Sequence, residues 1–133
     1  MKTIIVCCSL RFLDTVKEEA KVLRAHGIRV ETPMVSMKGV YDKLDASTRH
    51  YLAAGMTFTH FQRIREADVV WVYNPGGYIG TSVTMEMAFA TALGKPIYVL
   101  EPDTDDSRGT LVTGVRRQED FIVEYGKVSQ AKK

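Results

Sequence analysis

The run from residue 74 to residue 96, NPGGYIGTSVTMEMAFATALGKP, places one acidic side chain, Glu86, shortly after a glycine-rich turn. Glycines at 76, 77 and 80 permit positive φ angles and let a ligand approach the backbone closely. Asn74 opens the turn, and Tyr78 sits inside it with a ring suited to stacking on a planar base. A helix opening at Thr81 or Ser82 would present free N–H groups that favour an anion. A carboxylate in the first turns of that helix, facing the crevice beyond the strand ends, has few structural reasons to be there. Glu86 is therefore the first candidate for chemistry, and the bland alternative is a solvated helix residue or one capping neighbouring amides. The turn is neither a Walker loop, lacking a Gly-Lys-Ser/Thr ending, nor a G-x-G-x-x-G dinucleotide fingerprint. A pocket for a smaller ligand remains.

Other chemistry-bearing residues are sparse. Cys7 and Cys8 are adjacent within an apolar run, where strand side chains alternate between faces, so two buried free thiols in a reducing compartment are expected. His26 precedes a glycine at a helix end and His50 lies in a polar stretch; neither stands out. His60 lies on a helix, where a lone histidine is usually structural. Tyr41, Tyr51 and Tyr73 fit packing as well as binding. No Cys/His/Asp/Glu cluster falls at ligand spacing, so neither a metal nor a cofactor is expected.

The elements that must position these residues alternate in type. Residues 3–8 (TIIVCC), 28–32, 68–73 (DVVWVY), 97–100 and 111–115 read as strands, several of them continuous apolar runs typical of a parallel sheet covered on both faces. Helices are expected at about 16–25, 46–67 with a weak point near Gly55, 81–93 and 117–125. Residues 34–46 read as a long loop, a length often functional, and residues 127–133 as a polar tail that frays. Strand–helix alternation implies right-handed crossovers and a three-layer α/β/α sandwich of the flavodoxin or Rossmann type, with a five-stranded parallel sheet in the order 2-1-3-4-5. No repeat or linker divides the chain, so residues 1–126 are expected to form a single domain.

The chain has 133 residues and a net charge of +2, with 45% hydrophobic and 26% charged residues. That is enough to bury a core, and a small dispersed charge offers no basic stripe to nucleic acid polymers or anionic membranes. No apolar run reaches a membrane span's length, and no signal-peptide pattern opens the chain. A cytoplasmic protein is expected.

The segment ADVVWVYNPGGYIGTSVTMEMAFATALGKPIYVL, residues 67–100, resembles the central segment of the nucleoside 2-deoxyribosyltransferase-like superfamily, and CCSLRF, residues 7–12, is similar to the CGSIR opening of its deoxynucleoside-monophosphate N-glycosidase branch. The resemblance implies an enzyme that cleaves or transfers at the N-glycosidic bond of a nucleoside or its 5′-monophosphate, with Glu86 as nucleophile and Ser9 and Arg11 at a 5′-phosphate. It implies that the loop from Asn74 through Gly76, Gly77, Tyr78 and Gly80 to Thr81 holds the sugar and phosphate region, and that the chain forms a homodimer or higher homo-oligomer. Tyr51, Leu52, Met56, Phe58 and Phe61 make the second helix more apolar than one buried stripe needs, which fits self-association. Read from the residues alone, Ser9 serves equally as a helix N-cap and Arg11 as a surface residue. Three departures stand out: His60 occupies the place of an aspartate and is the candidate replacement for the acid that protonates the leaving base, the loop carries Tyr78, Ile79, Gly80 and one extra residue where an acidic or hydroxyl group is usual, and Ala88 replaces a glycine. Two other readings stay open. One is a phosphoribohydrolase of the cytokinin-activating type, whose PGG-x-GT-x-x-E string is close to residues 75–86; the other is a catalytically silent nucleotide-binding or sensing module.

Overall fold

A computed structural model describes residues 1–34 and 39–127. The chain order is β1 (Thr3–Cys7), α1 (Leu13–Ala25), β2 (Arg29–Glu31), α2 (Ala46–Glu66), β3 (Val69–Val72), α3 (Thr81–Ala92), β4 (Ile97–Val99), α4 (Asp106–Gly109), β5 (Gly114–Val115) and α5 (Gln118–Tyr125). All strand pairs are parallel, and the sheet runs β2-β1-β3-β4-β5, as the alternation of elements implies. β1 lies between β2 and β3, so the reversal of winding falls at the carboxyl ends of β1 and β3, where open α/β sheets form their crevice.

The alternation of side chains along the strands sorts the core into two faces. Ile5 and Cys7 of β1, Val70 and Val72 of β3, and Ile97 and Val99 of β4 point one way and pack under Ile64 of α2 and Val83, Met87 and Ala90 of α3. Ile4, Val6, Cys8, Val69, Trp71 and Tyr73 point the other way, under Val16, Ala20 and Leu23 of α1 and Phe121 of α5. Both cysteines are buried free thiols. Their adjacency in sequence sends them into different layers.

Departures from the expected elements are local. α2 runs unbroken through Gly55, its N-terminus capped by Asp45, whose carboxylate accepts from Thr48 N at 2.8 Å. The fifth strand shrinks to two residues because Leu111 and Val112 follow the short α4 and pack with the α2/α3 core as a turn. Thr113 then joins the sheet edge by bonding Ile97 through both its backbone N–H and its hydroxyl. Within the long loop expected at 34–46, residues 35–38 lie outside the described part, and Tyr41–Lys43 form a 3-10 turn. Of the tail expected at 127–133, residues 128–133 lie outside it too.

Candidate active site

A cavity of about 480 Å³ opens at the carboxyl ends of β1 and β3, between α2 and α3. Of the candidate catalytic and substrate-binding residues, Ser9, His60, Tyr78, Gly80, Thr81 and Glu86 line it; Arg11, Asn74, Gly76 and Gly77 do not. The glycine-rich loop therefore divides into two halves. Its second half faces the cavity and leads into α3, whose first turn carries no side-chain cap and contributes Thr81, Ser82 and Val83 to the lining.

The first half of the loop is tied to the next strand. Asn74 is fully buried: its side-chain N–H donates to Glu101 O at 2.9 Å, and its side-chain oxygen accepts from Leu100 N and Glu101 N, each at 3.0 Å. Gly76 and Gly77 adopt φ of 67° and 81°, the left-handed region open to glycine, and Gly76 N donates to the Glu101 carboxylate. These residues fix the loop's exit from β3, and with it the start of α3. Arg11 lies at the rim, exposed, its guanidinium 3.9 Å from the centre of the Tyr78 ring, which in turn meets Phe12 edge-on.

Three side chains from three elements meet where the cavity ends: His60 and Glu86 line it, and Cys7, fully buried, lies beside them. Cys7 Sγ ends β1, His60 comes from the middle of α2 and Glu86 from the second turn of α3. His60 Nε2 lies 3.4 Å from Cys7 Sγ and 3.7 Å from Glu86 Oε1. The Cys7 sulfur, the His60 nitrogen and a Glu86 carboxylate oxygen all lie within 4.8 Å of one another. Burial pushes the Glu86 carboxyl up to about 7, and the Cys7 thiol restrains the rise only partly. Burial, reinforced by the positive charge of Arg63, pushes His60 down to about 4, so it is neutral at physiological pH. Burial, with the Glu86 charge adding to it, raises Cys7 strongly and Cys8 to about 12, leaving both as thiols. The cluster is polar but carries at most one negative charge near neutrality.

Sequence spacing gave no sign of this cluster, since its members lie at positions 7, 60 and 86. It removes the ground on which a metal was not expected. The remaining lining is apolar and sulfur-rich, with Met34, Met56 and Met85 beside Phe61 and Tyr41. Of these, Tyr41 was noted in the sequence as fitting packing or binding, and Met56 and Phe61 only as part of a face for self-association, yet both line the cavity; Met34 and Met85 were not singled out. The described residues form no helix long and apolar enough to cross a membrane.

No protein-family model matches the sequence, and no curated protein matches it. Solved structures do. A conserved protein from Enterococcus faecalis V583 superposes with a TM-score of 0.64 at 17% identity, covering 93% of this chain and 96% of that one. A 2-deoxyribosyltransferase from the psychrotolerant bacterium Bacillus psychrosaccharolyticus superposes with a TM-score of 0.59 at 18% identity, covering 98% and 94%. The chain has the nucleoside 2-deoxyribosyltransferase fold. The likeness runs over nearly the full length of both chains.

Proposed function

We propose that the protein cleaves or transfers at the N-glycosidic bond of a nucleoside or nucleoside 5′-monophosphate, with Glu86 as nucleophile. The observation that carries this reading is the Glu86 carboxyl at the floor of a cavity large enough for a nucleoside, on a helix whose uncapped first turn lines the same space. In the first step a Glu86 oxygen bonds the anomeric carbon as the bond to the base breaks, giving a glycosyl ester; water or a second base then attacks that carbon and releases the carboxylate. A buried carboxylate is poorly solvated and gains from the positive charge that develops on the sugar.

His60 is read here as a positioning residue. A neutral imidazole with a conjugate-acid pKa near 4 holds no loosely bound proton for a leaving base, but its Nε2–H can orient the carboxylate. The base then takes its proton from water. Ser9 and the α3 N-terminus contact the phosphate, Arg11 reaches it from the rim, and Tyr78 and Tyr41 border the base. Gly76, Gly77 and Asn74 serve by holding the loop. Among the described residues α2 also leaves Tyr51 and Phe58 exposed at 74% and 68%, consistent with homodimer formation over that face.

The test is incubation with ribo- and deoxyribonucleoside monophosphates and chromatographic detection of free base. Release that disappears in Glu86→Ala supports the reading. One observation favours a binding module instead: Glu86 is the cavity's only carboxylate among the described residues, with no second acidic group to assist a base's departure. Thermal stabilisation by nucleotide without any base release would select that alternative.

A further inference from the structure

We propose that Cys7, His60 and Glu86 form a binding site for a zinc-class divalent cation, with a fourth coordination position facing the cavity. The three groups offer the ligand set that borderline-soft ions take, one sulfur, one imidazole nitrogen and one carboxylate oxygen. Three protein ligands and one open position is also the arrangement of zinc sites that take water or a ligand, whereas structural sites are closed by four protein ligands.

The geometry is close to that of a bound ion before one is added. Tetrahedral bonds of about 2.3 Å to sulfur and about 2.1 Å to nitrogen and oxygen set S···N near ~3.6 Å and N···O near ~3.4 Å. The corresponding separations are 3.4 and 3.7 Å, and all three ligand atoms lie within 4.8 Å of one another. Small side-chain rotations close the rest. The same ring nitrogen, Nε2, faces both partners, so in the tautomer that carries its proton on Nδ1 the Nε2 lone pair is directed at a shared point between them. The three ligands come from the strand end and the two helices that build the cavity, and their backbones are fixed by the sheet and by the α2/α3 packing. Such preorganisation lowers the cost of ordering a site on binding.

Binding exchanges the Cys7 thiol proton for a metal–sulfur bond, Cys–SH + M²⁺ → Cys–S⁻–M²⁺ + H⁺, and no oxidant or reductant is needed. The cation supplies the positive charge that this buried carboxylate otherwise lacks within the cluster. It also withdraws electron density from the carboxylate that would attack a sugar, so the metal-bound protein is an inhibited form. That consequence rests on the proposed glycosidic chemistry; the binding itself does not.

Cobalt(II) is the probe, added to chelator-treated full-length protein and followed by absorption. The expected result is one Co²⁺ per chain, with the intense visible bands of a tetrahedral ion and a near-ultraviolet thiolate-to-cobalt band, both displaced by Zn²⁺. Cys7→Ser should abolish the thiolate band and weaken binding more than about a hundredfold, since losing even an outer-shell partner costs tenfold or more. Cys8→Ser, which alters the thiol directed into the other layer, should keep the band. Wild-type protein that gives no thiolate band overturns the site without any variant having to fold. So does a band that survives Cys7→Ser or is lost in Cys8→Ser. Zinc binding with no effect on base release would leave the site standing and count against Glu86 as nucleophile.

Discussion

Under α1 and α5, the sheet face that carries Trp71 holds its polar atoms in closed arrangements. Trp71 Nε1 donates to Arg116 O at 3.1 Å, and its ring meets Phe121 edge-on at 5.2 Å. The Arg116 guanidinium lies 4.0 Å from the Tyr98 ring centre and pairs with Glu124. One of its nitrogens, Nη1, has no hydrogen-bond partner, but the charge is spread over aromatic faces. On the opposite face, under α2 and α3, Cys7, His60 and Glu86 are buried beside one another, and among the described residues the basic group paired with the carboxylate is a histidine that burial keeps neutral. Burying a charge without a charged partner costs several kcal/mol, and a fold that only needed stability could fill this place with apolar groups. The contrast separates the two layers: one closes its polar atoms on partners, the other leaves a buried carboxyl lining a cavity.

The comparison breaks first if Glu86 proves dispensable. Glu86→Gln keeps the shape and removes the charge, so base release should fall by about a thousandfold or more while nucleotide affinity changes less than about tenfold. Chromatography and a binding titration on the same preparation check this. Equal losses of both would mean that the residue shapes the pocket and does no chemistry. The opposite layer should give the reverse pattern. Phe121→Ala empties a fully buried ring site and should cost about 3–5 kcal/mol of stability, read by urea unfolding, with base release per folded molecule nearly unchanged.

The elements that build both layers were legible in sequence because strand periodicity and helix punctuation survive in short windows: TIIVCC and DVVWVY are continuous apolar runs, and GKP closes α3 before β4. Glu86 was legible for the same reason, through its offset from the glycine turn. The floor of the site was not. Cys7 looked like half of an adjacent pair, and only the pleat, which sends it to the Glu86 face and Cys8 to the Trp71 face, shows that it belongs to a cluster with His60. Asn74 was misleading in a different way: a polar residue in a ligand-facing loop reads as a ligand contact, yet its amide is spent on three backbone bonds to residues 100 and 101. Long-range hydrogen bonds leave no trace in local spacing.

Stability against pH sharpens the contrast, because the two buried groups of the α2/α3 layer pull in opposite directions. Glu86, raised from 4.5 to about 7, holds its proton more tightly when folded, so stability is lost as pH rises from about 4.5 and the loss is complete above about 7. His60, lowered from 6.5 to about 4, releases its proton more readily when folded, so stability is lost as pH falls below about 6.5 and the loss is complete below about 4. Each effect amounts to about 3 kcal/mol at most. Between about pH 4.5 and 6.5 the slopes cancel, and wild-type protein in chelator should unfold at nearly constant urea concentration. Glu86→Gln should become more stable with rising pH over that window, His60→Gln less stable. Parallel curves for all three proteins would show that the pair is solvated and that the layer stores no unpaired polarity.

The smallest expected effect lies at the rim. Arg11 is exposed and stacks on Tyr78, so whatever it contributes to a 5′-phosphate is screened by water and salt, on the order of 1 kcal/mol or about fivefold in affinity. Arg11→Ala should reduce the preference for a nucleoside monophosphate over its nucleoside by that factor, measured by thermal shift or calorimetry, and the wild-type preference should itself shrink as salt is raised. Tyr78→Phe separates the two possible causes, since it keeps the ring that supports the guanidinium. If Arg11→Ala weakens nucleoside and monophosphate equally, Arg11 only props the Tyr78 ring over the cavity, and the phosphate must be held by the uncapped start of α3 and Ser9, groups fixed by the same β1 and β3 ends that place Cys7 and Glu86.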